Sequence, residues 1–376
     1  MADLTSFISG LPKAELHVHQ LGSAPVAAVA ALAERHAGTT SVPADPEDLA
    51  RFFTFTDFAH FVDVYLAVVD LVRTPEDVAD LTRQVLAGLA AQQVRYAEVA
   101  VTPYSSIRDR PPGPTAPARP GIPAAEFCAA IEDARRRALS EDAIEVRWCF
   151  DIPGESGIPA ADATLEVALS GAADGLVGFG LGGPEIGVPR AQFARHFAAA
   201  RAAGLHSVPH AGESTGAATV WSAVRDLGAE RIGHGIRSVE DPALLEHLAS
   251  RQITLEVCPT SNVCTRSVAS LAEHPLPALV AAGVDVTISS DDPAMFSTTL
   301  DREYAIAADL LHLDRAGVAE LARASVRASY AEAATRRSVL AEIAAYLAAA
   351  VPASTSPATA SQAVASPAGT RPVGGA

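Results

Sequence analysis

The chain alternates short apolar runs with longer stretches rich in alanine and leucine, and this alternation constrains its fold more than any other feature. The short runs are enriched in residues typical of strands, whereas the stretches between them have helical periodicity. Repetition of the two predicts parallel strands joined by crossover helices. Eight such runs can be counted: Ala14–Gly22, Val94–Thr102, Ile144–Ile152, Leu176–Gly182, His206–Ala211, Arg231–Ile236, Ile253–Cys258 and Asp285–Ser290.

The residues that end these runs distinguish a closed barrel from an open sheet. Nearly every run ends in reactive or turn-forming residues, in the segments ELHVHQLGS, EVAVTP, CFDIPGE, GLGGPE, PHAGE, GHG, CPTSN and SSDDP. An open doubly wound sheet would concentrate them at one switch point, whereas a barrel brings all eight carboxyl ends to one mouth. We therefore expect an α/β fold consisting of a single (β/α)8 barrel of the TIM type.

The barrel is expected to occupy residues 11–348, after a short lead of residues 1–10. The tail, residues 349–376, is rich in Pro, Ala, Ser and Thr and is expected to be disordered. Two insertions should lie over the mouth. One is a helical segment with five phenylalanines, whose spacing is more typical of helix core than of a lid, and the other is a Pro-rich loop that begins at Arg108.

Charge and hydropathy limit the partners of the chain. Acidic residues outnumber basic ones, 44 to 28, and no basic cluster could neutralise a run of phosphates, so we expect no nucleic-acid partner. The absence of a leader pattern and of a long apolar run predicts a cytoplasmic protein without membrane association. A homo-oligomer is compatible with the sequence, and the four cysteines are expected to be reduced.

Histidine spacing predicts a metal site. His17 and His19 are two residues apart on the first predicted strand, so their side chains share the face that points into the barrel. His210 and Asp291 each lie near the end of another predicted strand. Imidazole and carboxylate donors suit zinc, and a catalytic zinc leaves one position open for water. We predict one zinc ion per chain, held by these four residues. Six of the other histidines are interpreted as structural: His36, His60, His196, His247, His274 and His312.

Three further residues are candidates for proton transfer and substrate binding. A zinc ion lowers the pKa of a water ligand to about 7, and the site then needs groups that move protons. Glu213, three residues after His210, is placed to protonate a ring nitrogen, and His234 can orient or deprotonate the water. Asp291 and Asp292 are adjacent and point in different directions, so Asp292 is expected to face the substrate.

Taken together, the segments PKAELHVH, PHAGE, RIGHG, LEVCPTSN and SSDDP resemble the adenosine deaminase family of the amidohydrolase superfamily, from about Leu11 to Tyr346. The resemblance implies the same four zinc ligands and hydrolytic loss of ammonia from an adenine nucleoside. It further implies that Glu213 donates a proton to purine N1 and that His234 assists hydroxide attack at C6. Asp292 would bind N7, and the backbone N–H of Gly183 would contact N3.

The sugar side departs from the family pattern. Members that act on adenosine usually carry H-x-H-L-D-G, whose aspartate helps to bind the ribose 5′-hydroxyl, whereas this chain has Leu21 at that position. Gly180 and Pro184 also stand where the family commonly has acidic residues. A site that loses the acceptor for a hydroxyl loses part of its preference for that hydroxyl. The 5′ pocket is therefore expected to be more apolar.

The branch of the family that this sequence most resembles contains the aminodeoxyfutalosine deaminases, which serve menaquinone biosynthesis. The substrate of that branch carries a benzoate beyond the 5′ carbon. Leu21 would tolerate the aromatic ring, and Arg108, Arg237 or Arg266 could pair with the carboxylate. Three alternatives stay open: an ordinary adenosine or deoxyadenosine deaminase, hydrolysis of another heterocyclic C–N bond, and a catalytically silent nucleoside-binding protein.

Overall fold

The computed structural model describes residues 2–112 and 118–350. Eight parallel strands pair in chain order within one sheet, which confirms the predicted barrel. The strands are β1 Lys13–His19, β2 Val94–Val101, β3 Glu145–Pro153, β4 Leu176–Gly182, β5 His206–Ala211, β6 Arg231–His234, β7 Thr254–Val257 and β8 Val286–Ile288.

Two of the eight strands, β4 and β5, have the predicted bounds, and the other six differ at one or both ends. The largest difference is at β1, which was expected to reach Gly22 and ends at His19. The chain turns there, because the backbone N–H of Ser23 donates to the carbonyl of His19 at 3.0 Å. The polar residues after the strands therefore belong to turns above the barrel.

The barrel closes between β1 and the segment after β8. An isolated parallel bridge joins Val18 to Asp291. The backbone N–H of His19 donates to the carbonyl of Asp291 at 2.9 Å, and the N–H of Asp291 donates to the carbonyl of His17 at 3.0 Å. Closure of the barrel thus brings the aspartate of SSDDP beside the two histidines of HVH.

Helices surround the barrel and pack their apolar faces against it. Those of the first half are α1 Ala2–Gly10, α2 Val26–Arg35, α3 Pro46–Phe52, α4 Phe58–Val69, α5 Pro75–Ala91, α6 Pro103–Ile107, α7 Ala124–Glu141 and α8 Gly157–Leu169. Those of the second half are α9 Ala194–Ala202, α10 Ala217–Asp226, α11 Pro242–Arg251, α12 Pro259–Cys264, α13 Leu276–Ala281, α14 Leu300–Leu311, α15 Arg315–Ala328 and α16 Ala333–Ala350. Short 3-10 helices span Gly154–Ser156, Arg190–Phe193, Ile236–Glu240 and Leu271–Glu273.

Local sequence explains where the helices near the mouth begin. The Asp57 carboxylate accepts the backbone N–H of His60 at 2.9 Å and caps α4. At α5, Thr74 and Asp77 form a capping box, and Pro75 occupies the first turn. These caps fix where α4 and α5 begin within the helical insertion between β1 and β2.

Two predictions concern segments at the limits of the described residues. The tail expected to be disordered, residues 349–376, lies outside them except for the last turn of α16. The Pro-rich loop from Arg108 is described only on either side of residues 113–117. Within the described ranges, no helix combines the length and apolar character needed to span a bilayer.

Candidate active site

The four predicted metal ligands meet at the carboxyl ends of β1, β5 and β8. His19 Nε2 lies 3.1 Å from His210 Nε2 and 3.3 Å from Asp291 Oδ1. His17 Nε2 lies 3.6 Å from the same aspartate oxygen. The backbone of Asp291 has a φ of 65°, in the left-handed region that non-glycine residues adopt at a cost of about 1–3 kcal/mol. Such strain is typical of functional sites.

The donor set fits a zinc ion. His17 Nε2 and His210 Nδ1 are buried without a hydrogen-bond partner. His17 Nδ1 lies 2.9 Å from Glu256 Oε2, so its proton is held on that side and the lone pair of Nε2 faces the cluster. Candidate groups of donor atoms within 4.8 Å of one another overlap here: His17, His210 and His234; His17, Cys258 and Asp291; His19, Asp151 and His210; and His19, Asp291 and Asp292.

A buried charge network supports His17 from inside the barrel. Arg231 Nε donates to Glu256 Oε1 at 2.6 Å, and the same guanidinium is paired with Glu98. Burial alone would raise the pKa of Glu256, but Arg231 and His17 outweigh it and hold that pKa below its usual value. Glu256 therefore remains ionised and orients the His17 ring. Its sequence signal, which our prediction missed, is a charged residue inside an otherwise apolar strand of LEVCPTSN.

Glu213 and His234 lie side by side next to this cluster. Glu213 Oε2 is 3.6 Å from His234 Nε2, which is itself 3.8 Å from Asp291 Oδ2. Burial, Asp291 and Glu185 raise the pKa of Glu213 well above its usual value, which favours the protonated carboxyl over the carboxylate. Burial lowers the pKa of His234 to about 3, which keeps the imidazole neutral. The pair thus combines an acid with a neutral ring.

Two glycines leave room for polar groups of the site: Gly22 beside the Asp292 side chain, and Gly183 beside the Glu155 side chain. A side chain on Gly22 would place its Cβ 1.6 Å from Asp292 Oδ1, a buried oxygen without a hydrogen-bond partner. Burial and Asp291 raise the pKa of Asp292 well above its usual value, so it can donate a proton to an acceptor. Gly183 has a φ of 79°, and a Cβ there would meet Glu155 Oε2 at 2.5 Å.

A cavity that opens to solvent connects these groups to the surface. We call six of its polar side chains the floor: His19, His210, Glu213, His234, Asp291 and Asp292. We call its apolar side chains from α4 the outer wall: Phe58, Phe61, Val62, Tyr65 and Leu66. Phe61 also packs against Phe296, with ring centroids 5.1 Å apart. Part of the phenylalanine cluster therefore belongs to the core and lines the cavity as well.

The structure does not bring the predicted sugar-side residues into this cavity. Leu21 lines a smaller neighbouring cavity that shares Tyr65 and Thr102 with the main one. The guanidinium of Arg108 lies 5.6 Å from the ring centre of Tyr104. Arg237 pairs with Glu240 at 2.7 Å, and Arg266 is exposed. The roles predicted for Leu21 and Arg108 remain predictions.

Two carboxylates that our sequence interpretation did not assign do line the main cavity. Asp151 lies in the segment CFDIPGE near the end of β3, is buried, and has an oxygen without a hydrogen-bond partner. Glu155 lies in the 3-10 helix Gly154–Ser156 that follows β3 directly, and desolvation raises its pKa although Arg108 acts in the opposite direction. The signal for both was their position at the end of a barrel strand, where catalytic and binding residues concentrate.

This arrangement defines a class of protein: an α/β barrel with a buried cluster of histidines and aspartates at its carboxyl mouth, where a metal ion could bind. The family model for adenosine deaminase matches residues 12–346. The chain belongs to the adenosine deaminase family and is a deaminase that acts on a small purine substrate.

Individual relatives agree with this assignment. A curated aminodeoxyfutalosine deaminase from Streptomyces avermitilis is 58% identical over 92% of this chain and 94% of its own length. The crystal structure of an adenine deaminase from Arthrobacter aurescens is 32% identical, covers 90% of this chain and 100% of its own, and has a TM-score of 0.80. A Burkholderia ambifaria amidohydrolase with bound zinc is 25% identical, with a TM-score of 0.82 and coverage of 93% and 94%.

Proposed function

We propose that the chain removes the 6-amino group from an adenine nucleoside with a bulky 5′ substituent, and that aminodeoxyfutalosine of the menaquinone pathway is its preferred substrate. The observation that carries this proposal is the cavity, whose polar floor suits the purine and whose apolar outer wall suits a further ring. The high identity of the Streptomyces avermitilis enzyme over nearly both whole chains supports the same substrate.

In this proposal His17, His19, His210 and Asp291 hold one zinc ion. The zinc in the Burkholderia ambifaria structure and the unpartnered nitrogens of His17 and His210 support this part. When bound, the ion supplies Lewis-acid activation of water at neutral pH. Glu256 fixes the orientation of the His17 ring through the 2.9 Å contact with Nδ1.

The protein groups around the purine move or hold protons. Glu213, whose pKa is raised by burial, donates a proton to N1 and makes C6 a better electrophile. Asp292, whose pKa burial and Asp291 also raise, donates to N7, a ring nitrogen that can only accept. Gly183 offers its backbone N–H to N3, and His234 orients the attacking water. Together they hold the base so that C6 faces the floor.

Atoms balance in the overall step. The oxygen of water forms a bond to C6, and the bond from C6 to the exocyclic nitrogen breaks. One hydrogen of water leaves with the amine as ammonia, and the other restores the proton that Glu213 gave to N1. The product carries a C6 carbonyl and an N1–H, as in hypoxanthine.

The proposal is tested by following ammonia and the purine product together. We expect one ammonia per aminodeoxyfutalosine consumed and a product with a hypoxanthine ring, identified by mass spectrometry. Glu213→Gln should lower kcat by about 100-fold or more, because the amide cannot protonate N1. Glu246→Gln on the exposed surface of α11 is the matched control. Tight binding without ammonia release would instead indicate a silent nucleoside-binding protein.

A free base is the second candidate substrate, because the Arthrobacter aurescens relative is an adenine deaminase. The side chain of Glu155 favours a nucleoside, since it lines the cavity beside Gly183 and can accept a hydrogen bond from a ribose hydroxyl that adenine lacks. Glu155→Ala should therefore raise KM for nucleosides more than for adenine. An equal effect on both would remove this argument.

A further inference from the structure

A hydrogen-bonded path runs from the back of His234 to the protein backbone. His234 Nδ1 lies 3.1 Å from Asn262 Nδ2 on α12. Asn262 Oδ1 lies 3.1 Å from His274 Nε2, and His274 Nδ1 accepts the backbone N–H of Leu276 at 3.1 Å. Neither Asn262 nor His274 lines the active-site cavity, so neither touches the purine.

The backbone end of this path fixes the direction of every hydrogen bond in it. The N–H of Leu276 can only donate, so His274 Nδ1 must accept and a neutral His274 carries its proton on Nε2. That proton is donated to Asn262 Oδ1, which turns the amide so that Nδ2 donates to His234 Nδ1. His234 Nδ1 therefore accepts, and the proton of its neutral ring lies on Nε2.

We propose that Asn262 and His274 are positioning residues that hold His234 in the tautomer with its proton on Nε2, so that His234 presents an N–H to the cavity. This inference rests on the proposed deaminase function for its catalytic meaning. It makes His234 a hydrogen-bond donor to the attacking oxygen while the ring is neutral. Proton acceptance from water then falls to other groups of the floor.

The three side chains of this path are buried, which holds their hydrogen bonds in one arrangement. Asn262 is 0% exposed, His274 is 4% exposed and His234 is 1% exposed, so water does not compete for these hydrogen bonds. Burial lowers the pKa of His274 to about 4, which keeps it neutral at physiological pH. The sequence interpretation gave His274 a structural role, because a lone histidine outside a motif is more often hydrogen-bonded within the fold than a ligand.

Two substitutions separate the direction of the path from its packing. Asn262→Asp keeps the shape of the side chain but offers only acceptors when ionised, so it should pull the His234 proton to Nδ1. His274→Gln keeps a donor toward Asn262 Oδ1 and should preserve the native tautomer. The wrong tautomer of a catalytic histidine lowers turnover by orders of magnitude, so we expect kcat to fall at least ~100-fold in Asn262→Asp with KM changed by less than ~3-fold.

A much smaller loss of kcat is expected for His274→Gln than for Asn262→Asp. His274→Gln should lower kcat by no more than ~10-fold, because the direction of the path survives. His247→Gln, on α11 beside Trp221, is the matched control for removal of a histidine from this chain. Melting temperature and zinc content of each variant report whether the fold and the metal site are retained.

The direct readout is the ¹⁵N spectrum of the histidine-labelled, zinc-loaded enzyme, in which His234 is assigned from its loss in His234→Gln. We expect a protonated Nε2 and an unprotonated Nδ1 in the native chain and in His274→Gln, and the reverse in Asn262→Asp. A native His234 with its proton on Nδ1 would overturn the inference, as would an unchanged tautomer in Asn262→Asp. Because this readout needs no substrate, it can fail or succeed independently of the proposed function.

Discussion

The floor and the outer wall of the cavity are built differently. Floor residues follow short strands of the barrel, are nearly all fully buried, and contact one another within 3–4 Å. The outer wall comes from α4, in the long insertion between β1 and β2, and several of its side chains are only half-buried. In our proposal the barrel fixes the chemistry, whereas the choice of 5′ substituent depends on an inserted helix. Substitutions in the floor should consequently lower turnover of every substrate, whereas substitutions in the outer wall should change the preference among substrates.

Metal removal should have the largest effect and should not distinguish substrates. Dialysis of the enzyme against a chelator is expected to lower kcat at least ~1,000-fold for aminodeoxyfutalosine, adenosine and adenine alike, since each needs activated water. Added zinc should restore all three activities. Full activity in a preparation shown to be metal-free by elemental analysis would contradict this view of the floor.

The second-largest effect is expected from substitution of Glu256, which orients His17 from below the floor. Glu256→Gln removes the charge that orients His17 and leaves Arg231 with one fewer partner. We expect metal affinity or kcat to fall by about 10- to 100-fold, again by a similar factor for every substrate. Zinc titration and steady-state kinetics measure it, with Glu246→Gln as the control. A factor that differs strongly between substrates would show that the two ends of the cavity are coupled.

The outer wall should show the opposite behaviour. Phe58→Ala removes a half-buried ring from the wall and should lower kcat/KM for aminodeoxyfutalosine by about 10-fold, which corresponds to ~1.4 kcal/mol of lost apolar contact. Adenine, which does not extend that far, should lose less than ~2-fold. Leu139→Ala, an exposed apolar truncation on α7, serves as the control. An equal loss of kcat/KM for both substrates would mean that the Phe58 ring contacts the purine base rather than the 5′ substituent.

The smallest effect is expected at Arg108. Its guanidinium lies over Tyr104 and outside the cavity lining, so Arg108→Gln should raise KM for the carboxylate-bearing substrate by no more than ~3-fold. The effect should disappear in high salt because it acts through solvent. Arg136→Gln, on the exposed face of α7, gives the matched control. A loss of 100-fold would instead indicate direct contact with the carboxylate.

The barrel and the identity of the floor were predictable because both follow from local rules. Periodicity marked all eight strands, and the spacing of His17 and His19 put both side chains on the inner face. Strand-end motifs then named His210, Glu213 and Asp291 without any knowledge of distance. What local rules did not give was the pairing that closes the barrel, in which a bridge between Val18 and Asp291 joins the first strand to the segment after the last one.

The residues that escaped prediction depend on contacts between distant segments. Glu256 acts on a histidine 239 positions away, and Asn262 bonds a histidine 28 positions away. Leu21 was interpreted from its place in a motif, yet the turn after β1 directs it to a neighbouring cavity. A motif therefore names residue types, while the direction of each side chain is set by turns and packing that the motif does not contain.

The separation of chemistry from substrate choice is tested most directly by kcat/KM for aminodeoxyfutalosine, adenosine and adenine, measured in one competition assay with the native enzyme. The apolar outer wall predicts that aminodeoxyfutalosine is preferred by at least ~100-fold over both others, since its extra ring makes contacts that they lack. Equal or higher kcat/KM for adenosine or adenine would contradict the assignment of the wall to the 5′ substituent.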